Sequence, residues 1–202
     1  MRKILGVLSA IGMGTALFVL FVLPVQAAVH ATDPAKLIQA VTGEVTEIVK
    51  TRTGVDREAA IRRLLQTNFD LPYMGSKALG THWAQASEQQ RMRFLAAVET
   101  SEARAYSERL GNFAGATVTI GAVITRPNGT WMVDSNLTLP AGQPIKLQWE
   151  VHDNGEGLRI ADVKVSGVSM FMTRRADFNS YIQSHGGTVE PLVKVLEARA
   201  AR

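Results

Sequence analysis

Asp162-Val163-Lys164-Val165-Ser166-Gly167-Val168-Ser169-Met170 reads as a strand that runs through Gly-Val-Ser into the start of a basic helix. Thr173-Arg174-Arg175 and Phe178 follow, and the chain closes on two short helices separated by Gly186-Gly187. The residues just upstream matter as much. Leu158 and Ile160 occupy one parity of the strand, whereas Val163 and Val165 occupy the other. Side chains alternate with a period of two, so one inserted residue switches the buried face. A β-bulge near Ala161, which would bend the strand, accounts for the slip.

Working back from this strand, alternation persists. Ile145, Leu147, Trp149 and Val151 interleave with Lys146, Gln148, Glu150 and His152, the pattern of a half-buried strand. Trp131, Val133, Leu137 and Leu139 share a face of the run before it, and Val118, Ile120, Ala122 and Ile124 share a face of the first run. Pro127-Asn128-Gly129 and Asp153-Asn154-Gly155-Glu156-Gly157 supply the turns. The expectation is a curved four-stranded antiparallel sheet.

The sequence outside the strands is helical, which makes the chain α+β, with the sheet packed against a helical layer. Asp33-Pro34 starts a helix whose stripe is Leu37, Val41, Val45, Ile48 and Val49. Asp56 is placed to cap a second helix carrying Ile61, Leu64, Leu65 and Phe69. Asp70-Leu71-Pro72 opens a short third helix that Gly80 ends. Ser87-Glu88-Gln89-Gln90 has the spacing of a capping box, and the long helix behind it presents Phe94, Leu95, Val98, Ala105, Tyr106 and Leu110 before Gly111. A sheet bent over helices forms a half-cone. The pattern fits equally a half-cone filled by side chains and one left open as an apolar cavity.

Composition narrows the function. Met1-Arg2-Lys3, the apolar run Ile4 to Leu23 and Pro24-Val25-Gln26-Ala27-Ala28 have the order of a secretion signal, residues 1–27, with cleavage after Ala27. A retained membrane anchor is the rival reading, because about 20 apolar residues span a bilayer. Gly6, Gly12, Gly14 and Pro24 favour cleavage. What remains, 28–202, has the length of a single domain, which buries roughly 70% of its unfolded surface. There is no cysteine, hence no disulfide, thiolate metal site, cysteine nucleophile or acylated anchor. Two of the charges in the net +4 are Arg2 and Lys3, too small a surplus to argue for nucleic acid.

Candidate chemistry is sparse. His30, His82, His152 and His185 stand far apart, in no metal-ligand spacing, and read as surface or turn histidines. Gly167-Val168-Ser169-Met170-Phe171 lacks the second glycine of a nucleophile elbow. Glu102 interrupts the stripe of the long helix and Asp134 lies mid-strand. Both read as solvated, although either would serve an enzyme if it faced a pocket. Arg174 and Arg175 sit near a helix start, where cations oppose the dipole, so a structural role explains them poorly; they read either as a solvated basic helix end or as contacts to a head group or an acidic partner surface.

Three segments carry a family resemblance. They are Tyr73-Met74-Gly75-Ser76-Lys77-Ala78-Leu79-Gly80-Thr81-His82-Trp83, then Ala86-Ser87-x-x-Gln90-Arg91-x-x-Phe94 with Tyr106 later in the helix, then Asp162-Val163 through Gly167-Val168-Ser169-Met170 to Phe178 and Gly186. In this order and behind a secretion signal, they resemble the MlaC-type (toluene-tolerance) family of periplasmic phospholipid-binding proteins. The resemblance implies an open apolar cavity and a lipid carrier without a cofactor. Its partners would be an inner-membrane ABC transporter with its substrate-binding protein and an outer-membrane lipoprotein complex. Read with such a cavity, strand parity and helix spacing place Trp83, Phe94, Val98, Tyr106, Leu110, Val118, Trp131, Val133, Trp149, Val163, Val168 and Met170 at the lipid, while ordinary core packing is the other reading of Trp83, Phe94, Tyr106, Trp131 and Trp149. Relatives associated with hopanoid synthesis widen the cargo beyond phospholipid. Two departures stand out: Ser166 replaces the usual acidic residue, and Glu99-Thr100-Ser101-Glu102 lacks the usual bulk.

A carrier suits the physics. Each methylene contributes about 0.8 kcal/mol, so two 16-carbon chains represent roughly 25 kcal/mol of aversion to water. Shielding them requires no reaction. A small secreted enzyme acting on an apolar substrate and a membrane-tethered adaptor are the other classes the sequence admits. N-terminal sequencing of the exported protein should begin at Ala28; a chain that keeps Met1 would establish the anchor instead.

Overall fold

The computed structural model describes residues 33–201, and the expected signal segment and His30 lie outside them. Seven helices and five strands follow in the order α1 (Pro34–Thr51), α2 (Gly54–Asn68), α3 (Leu71–Leu79), α4 (Thr81–Gln85), α5 (Glu88–Leu110), β1 (Thr117–Thr125), β2 (Trp131–Thr138), β3 (Ile145–Asp153), β4 (Leu158–Val165), β5 (Val168–Ser169), α6 (Met170–Ser184) and α7 (Glu190–Ala200). The sheet is an antiparallel meander, β1-β2-β3-β4-β5. It therefore has one strand more than the four expected.

The fifth strand, Val168–Ser169, follows a tight turn at Ser166-Gly167. Ser166 and Gly167 both have positive φ, 50° and 84°, and Val165 pairs with Val168. This is a two-residue primed hairpin, whose backbone needs left-handed conformations at both loop positions. Ser169 ends the short strand and caps α6, its hydroxyl accepting from the Met172 N–H at 3.0 Å. Asp162, buried in β4, accepts from the Phe171 N–H at 3.1 Å and so ties the first turn of α6 to the sheet.

The bulge lies where the parity switch put it. Glu150 pairs with Asp162 and Val151 with Ile160, leaving Ala161 as the extra residue. At that bend Ile160 also forms a parallel bridge with Phe69, and its carbonyl accepts from Asp70 N–H at 3.0 Å. A second bulge lies between Ile120 and Val123 in β1, where Gly121 and Ala122 together oppose Asp134. It corrects the expected face of β1: Val123 is brought opposite Val133, and Ile124 opposite Met132. Ile124 is 52% exposed.

Two cores share α5. Leu37, Ile38, Val41, Ile48, Ile61, Leu64 and Leu65 of α1 and α2 pack with Ala103 of α5 on the inner sheet residues Val133, Leu147, Trp149, Val151 and Ile160. Further back along α5, Phe94 and Ala97 pack with Leu79, Phe178, Ile182, Leu192, Val193 and Leu196 of α3, α6 and α7. The capping box at Ser87 and Gln90 forms as expected, while Thr53 holds the N-cap position of α2 without a side-chain capping bond and Asp56 lies inside the first turn. Gly111 continues α5 into a 3-10 turn, Gly111–Phe113.

Charge closes the second core. Arg93 grips Glu197 at 2.6 Å and Glu190 at 3.0 Å, and Gln90 donates to Glu190 at 3.0 Å. Gln90 and then Arg93 hold Glu190 below the usual 4.5, and Arg93 does the same to Glu197. A depressed carboxylate stabilises the fold above its unfolded pKa, and that contribution is lost as pH falls through the folded value. Acidification from neutral pH to about pH 3 should therefore lower the unfolding midpoint less in Arg93→Gln than in the wild type. An equal drop in both proteins would contradict this role for Arg93.

Candidate functional site

Between the inner sheet face and α1, α2 and the end of α5 lies a cavity of about 640 Å³. That volume is in the range of ligand sites, roughly 300–1,000 Å³. Val41, Val45 and Val49 of α1, Ile61, Leu64 and Leu65 of α2, and Tyr106 and Leu110 of α5 form the helical wall. Val118, Leu137, Ile145, Leu147, Trp149, Val163 and Val165 form the sheet wall, with Phe69, Phe113 and Met170 at its margins. The exposed lining residues Thr46, Lys50, Arg109, Ala114 and Gly115 mark the mouth.

Trp149 sits beside Val133 and Val163 in the ladder, and its indole N–H donates to Ser135 Oγ at 2.9 Å. A large ring can thus face the cavity without an orphaned donor. Burial raises the Tyr106 phenol above its ordinary pKa and Glu102 adds to that, while Arg174 and Arg109 pull against it.

Of the residues assigned to the site from sequence, Tyr106, Leu110, Val118, Trp149, Val163 and Met170 line this cavity. Six others do not. Trp83, Phe94 and Val98 belong to the helical core, because the first half of α5 faces α3, α6 and α7. Val133, fully buried, is packed among its neighbours, and Trp131 lies against the same core. Val168 is 56% exposed on the short β5. Sequence reasoning missed the α1 wall and the charged mouth residues Lys50 and Arg109.

Arg174 and Arg175 do not line the cavity. They come after the first turn of α6, where the dipole argument has faded. Arg174 binds Glu102 at 2.7 Å and lies 3.7 Å from Asp177; Arg175 lies over Gly80, where an added Cβ would come within 3.2 Å of it. Glu102 is thereby engaged between α5 and α6, and Asp134 accepts from Gln148 at 2.8 Å. Neither acid lines the cavity.

Two histidines depart from the surface reading. His82 is buried, with Nε2 3.1 Å from Asn179 Oδ1. His152 Nε2 lies 2.9 Å from Asp70 Oδ2, and Tyr73 meets its ring edge-on at 4.7 Å. No group of acids and histidines is arranged to hold a metal ion among the described residues.

Fold and cavity together define a small α+β protein built as an antiparallel meander around an apolar pocket. The chain belongs to the MlaC protein family, which it matches over residues 37–198. Seven chains of known structure match it. One is the phospholipid-binding protein from Ralstonia solanacearum, solved in complex with a phospholipid. It has a TM-score of 0.72 and 21% identity, over 84% of this chain and 97% of that one. A comparison with curated proteins gives no match.

The two Val positions separate wall from packing. Val133→Trp overfills a closed core and should cost about 1–3 kcal/mol. Val163→Trp puts its ring into open space and should leave the unfolding midpoint within a few degrees of wild type. Equal, large losses in both variants would mean that the cavity is closed in solution.

Proposed function

We propose that this protein is a periplasmic lipid carrier, which holds the acyl chains of a phospholipid in the cavity and exchanges it with membrane-bound partners. The observation that carries the proposal is the cavity itself: about 640 Å³, bounded by Val, Leu, Ile and aromatic side chains on both walls. Family membership supports it, as does the similar fold of a protein solved with a phospholipid.

The remaining parts of the proposal follow from what such a cargo needs. A lipid shielded by a protein can cross an aqueous compartment, so the carrier would work between an inner-membrane ABC transporter with its substrate-binding protein and an outer-membrane lipoprotein complex. Secretion through the N-terminal signal would put it there. Among the described residues, no helix is long and apolar enough to cross a membrane. The enzyme reading needed Glu102 or Asp134 in the pocket, and both are engaged elsewhere.

Native mass spectrometry of freshly purified protein, with extraction of the bound lipid, tests the proposal. About one two-chain lipid per protein is expected, exchangeable with phospholipid vesicles. A polycyclic, hopanoid-like lipid would keep the carrier and change its cargo. Protein that emerges empty and takes nothing from vesicles would contradict a carrier.

A further inference from the structure

Only two of the cavity's lining residues carry a charge, Lys50 and Arg109, and both charges are positive. Both residues are exposed, and neither forms an ion pair among the described residues. Glu47 and Glu108, close to them in sequence, do not line the cavity.

The fold joins the two helix ends that carry these cations. Arg57 of α2 donates from Nη2 to Val49 O and from Nη1 to Ser107 O, each at 3.4 Å, and from Nε to Arg52 O at 2.8 Å. One guanidinium thus joins the C-terminal ends of α1 and α5. Gly111 makes room for it, since a Cβ there would stand 2.7 Å from Arg57 Nη1. Lys50 follows Val49, and Arg109 comes two residues after Ser107, so the joined helix ends carry both side chains to the mouth. A cation in a last turn can serve the helix dipole alone. Here Arg57 already takes carbonyls at both ends, and Lys50 and Arg109 are left free to meet a ligand.

We infer that Lys50 and Arg109 form an anion-binding rim that takes the phosphate of a lipid head group while the acyl chains fill the cavity. This rests on the carrier reading and deepens it, assigning the cargo to lipids with a net negative head. An uncharged glycerolipid or polycyclic lipid leaves the rim without a counter-charge. A zwitterionic head brings its own ammonium to the same two cations. Guanidinium and ammonium donors facing a phosphate make charge-assisted hydrogen bonds, and salt screens such a rim because it is exposed.

The test offers purified protein vesicles containing equal amounts of dipalmitoylphosphatidylglycerol and dipalmitoylglycerol. Acyl chains and membrane charge are then common to both lipids, and extraction of the re-isolated protein gives the ratio bound. Wild type should favour the phosphatidylglycerol by roughly tenfold or more, an advantage that shrinks in high salt. Lys50→Gln with Arg109→Gln should bring the ratio near parity through loss of bound phosphatidylglycerol, with the unfolding midpoint within a few degrees of wild type. Lys50→Arg with Arg109→Lys should keep the preference. Equal uptake of both lipids by wild type, or a preference that survives the double glutamine change, would overturn the rim and leave the carrier standing. Uptake of neither lipid would instead overturn the carrier. Inorganic phosphate supplies a separate arm. If it raises the unfolding midpoint of lipid-free wild type and not of the glutamine variant, the rim serves free phosphate and the head-group assignment fails; no rise supports the lipid.

Discussion

An apolar sheet face must be taken out of water, and the helices of this chain cover it without filling the space beneath. The reason lies in α5. Its first half is committed to a separate core with α3, α6 and α7, through Phe94 and Ala97. Its middle is polar and is spent on side-chain links, Glu99 to Gln66 and Glu102 to Arg174. Only Ala103, Tyr106 and Leu110 are left to face the sheet from this helix. The missing bulk at Glu99-Thr100-Ser101-Glu102 is the sequence counterpart of that economy. Covering the rest of the face falls to α1 and α2, and the cavity is what they do not occupy.

The Asp162–Met170 stretch connects this space to the rest of the molecule. Ala161 bends β4, Ser166-Gly167 turns the chain back, and Asp162 and Ser169 each accept a hydrogen bond from the first turn of α6. Met170 then reaches the cavity margin, while Arg174, one turn later, returns to α5 through Glu102. A segment that resembles a functional motif therefore does structural work in hydrogen bonds. Its contribution to the site is the placement of Val163, Val165 and Met170.

Much of the fold was legible because period and capping are local signals. The parity switch from Ile160 to Val163 locates the bulge at Ala161, and Ser87 with Gln90 marks the start of α5. The second bulge was hidden: Val118, Ile120, Ala122 and Ile124 alternate as if unbroken, and a lone Gly121 was the only cue. The fifth strand, only two residues long, has no period to read. The site was half legible. Strand parity finds Trp149 and Val163, but it cannot separate them from Val133, which shares their face and is packed solid. Helix periodicity groups Phe94 and Val98 with Tyr106 and Leu110, although the two pairs serve different cores. Lys50 and Arg109 merely flank apolar stripes in sequence; what joins them is Arg57, a contact between distant helices.

On the proposed function, the space between Tyr106, Leu110, Leu147 and Trp149 is held open for acyl chains. A crystal structure of the protein as purified, with no lipid added, tests it most directly. Continuous chain-like density is expected, running from the mouth at Lys50 and Arg109 toward Trp149, with these four side chains where they stand now. Helices α1 and α2 collapsed onto the sheet, with the same side chains in mutual contact and no density between them, would contradict it.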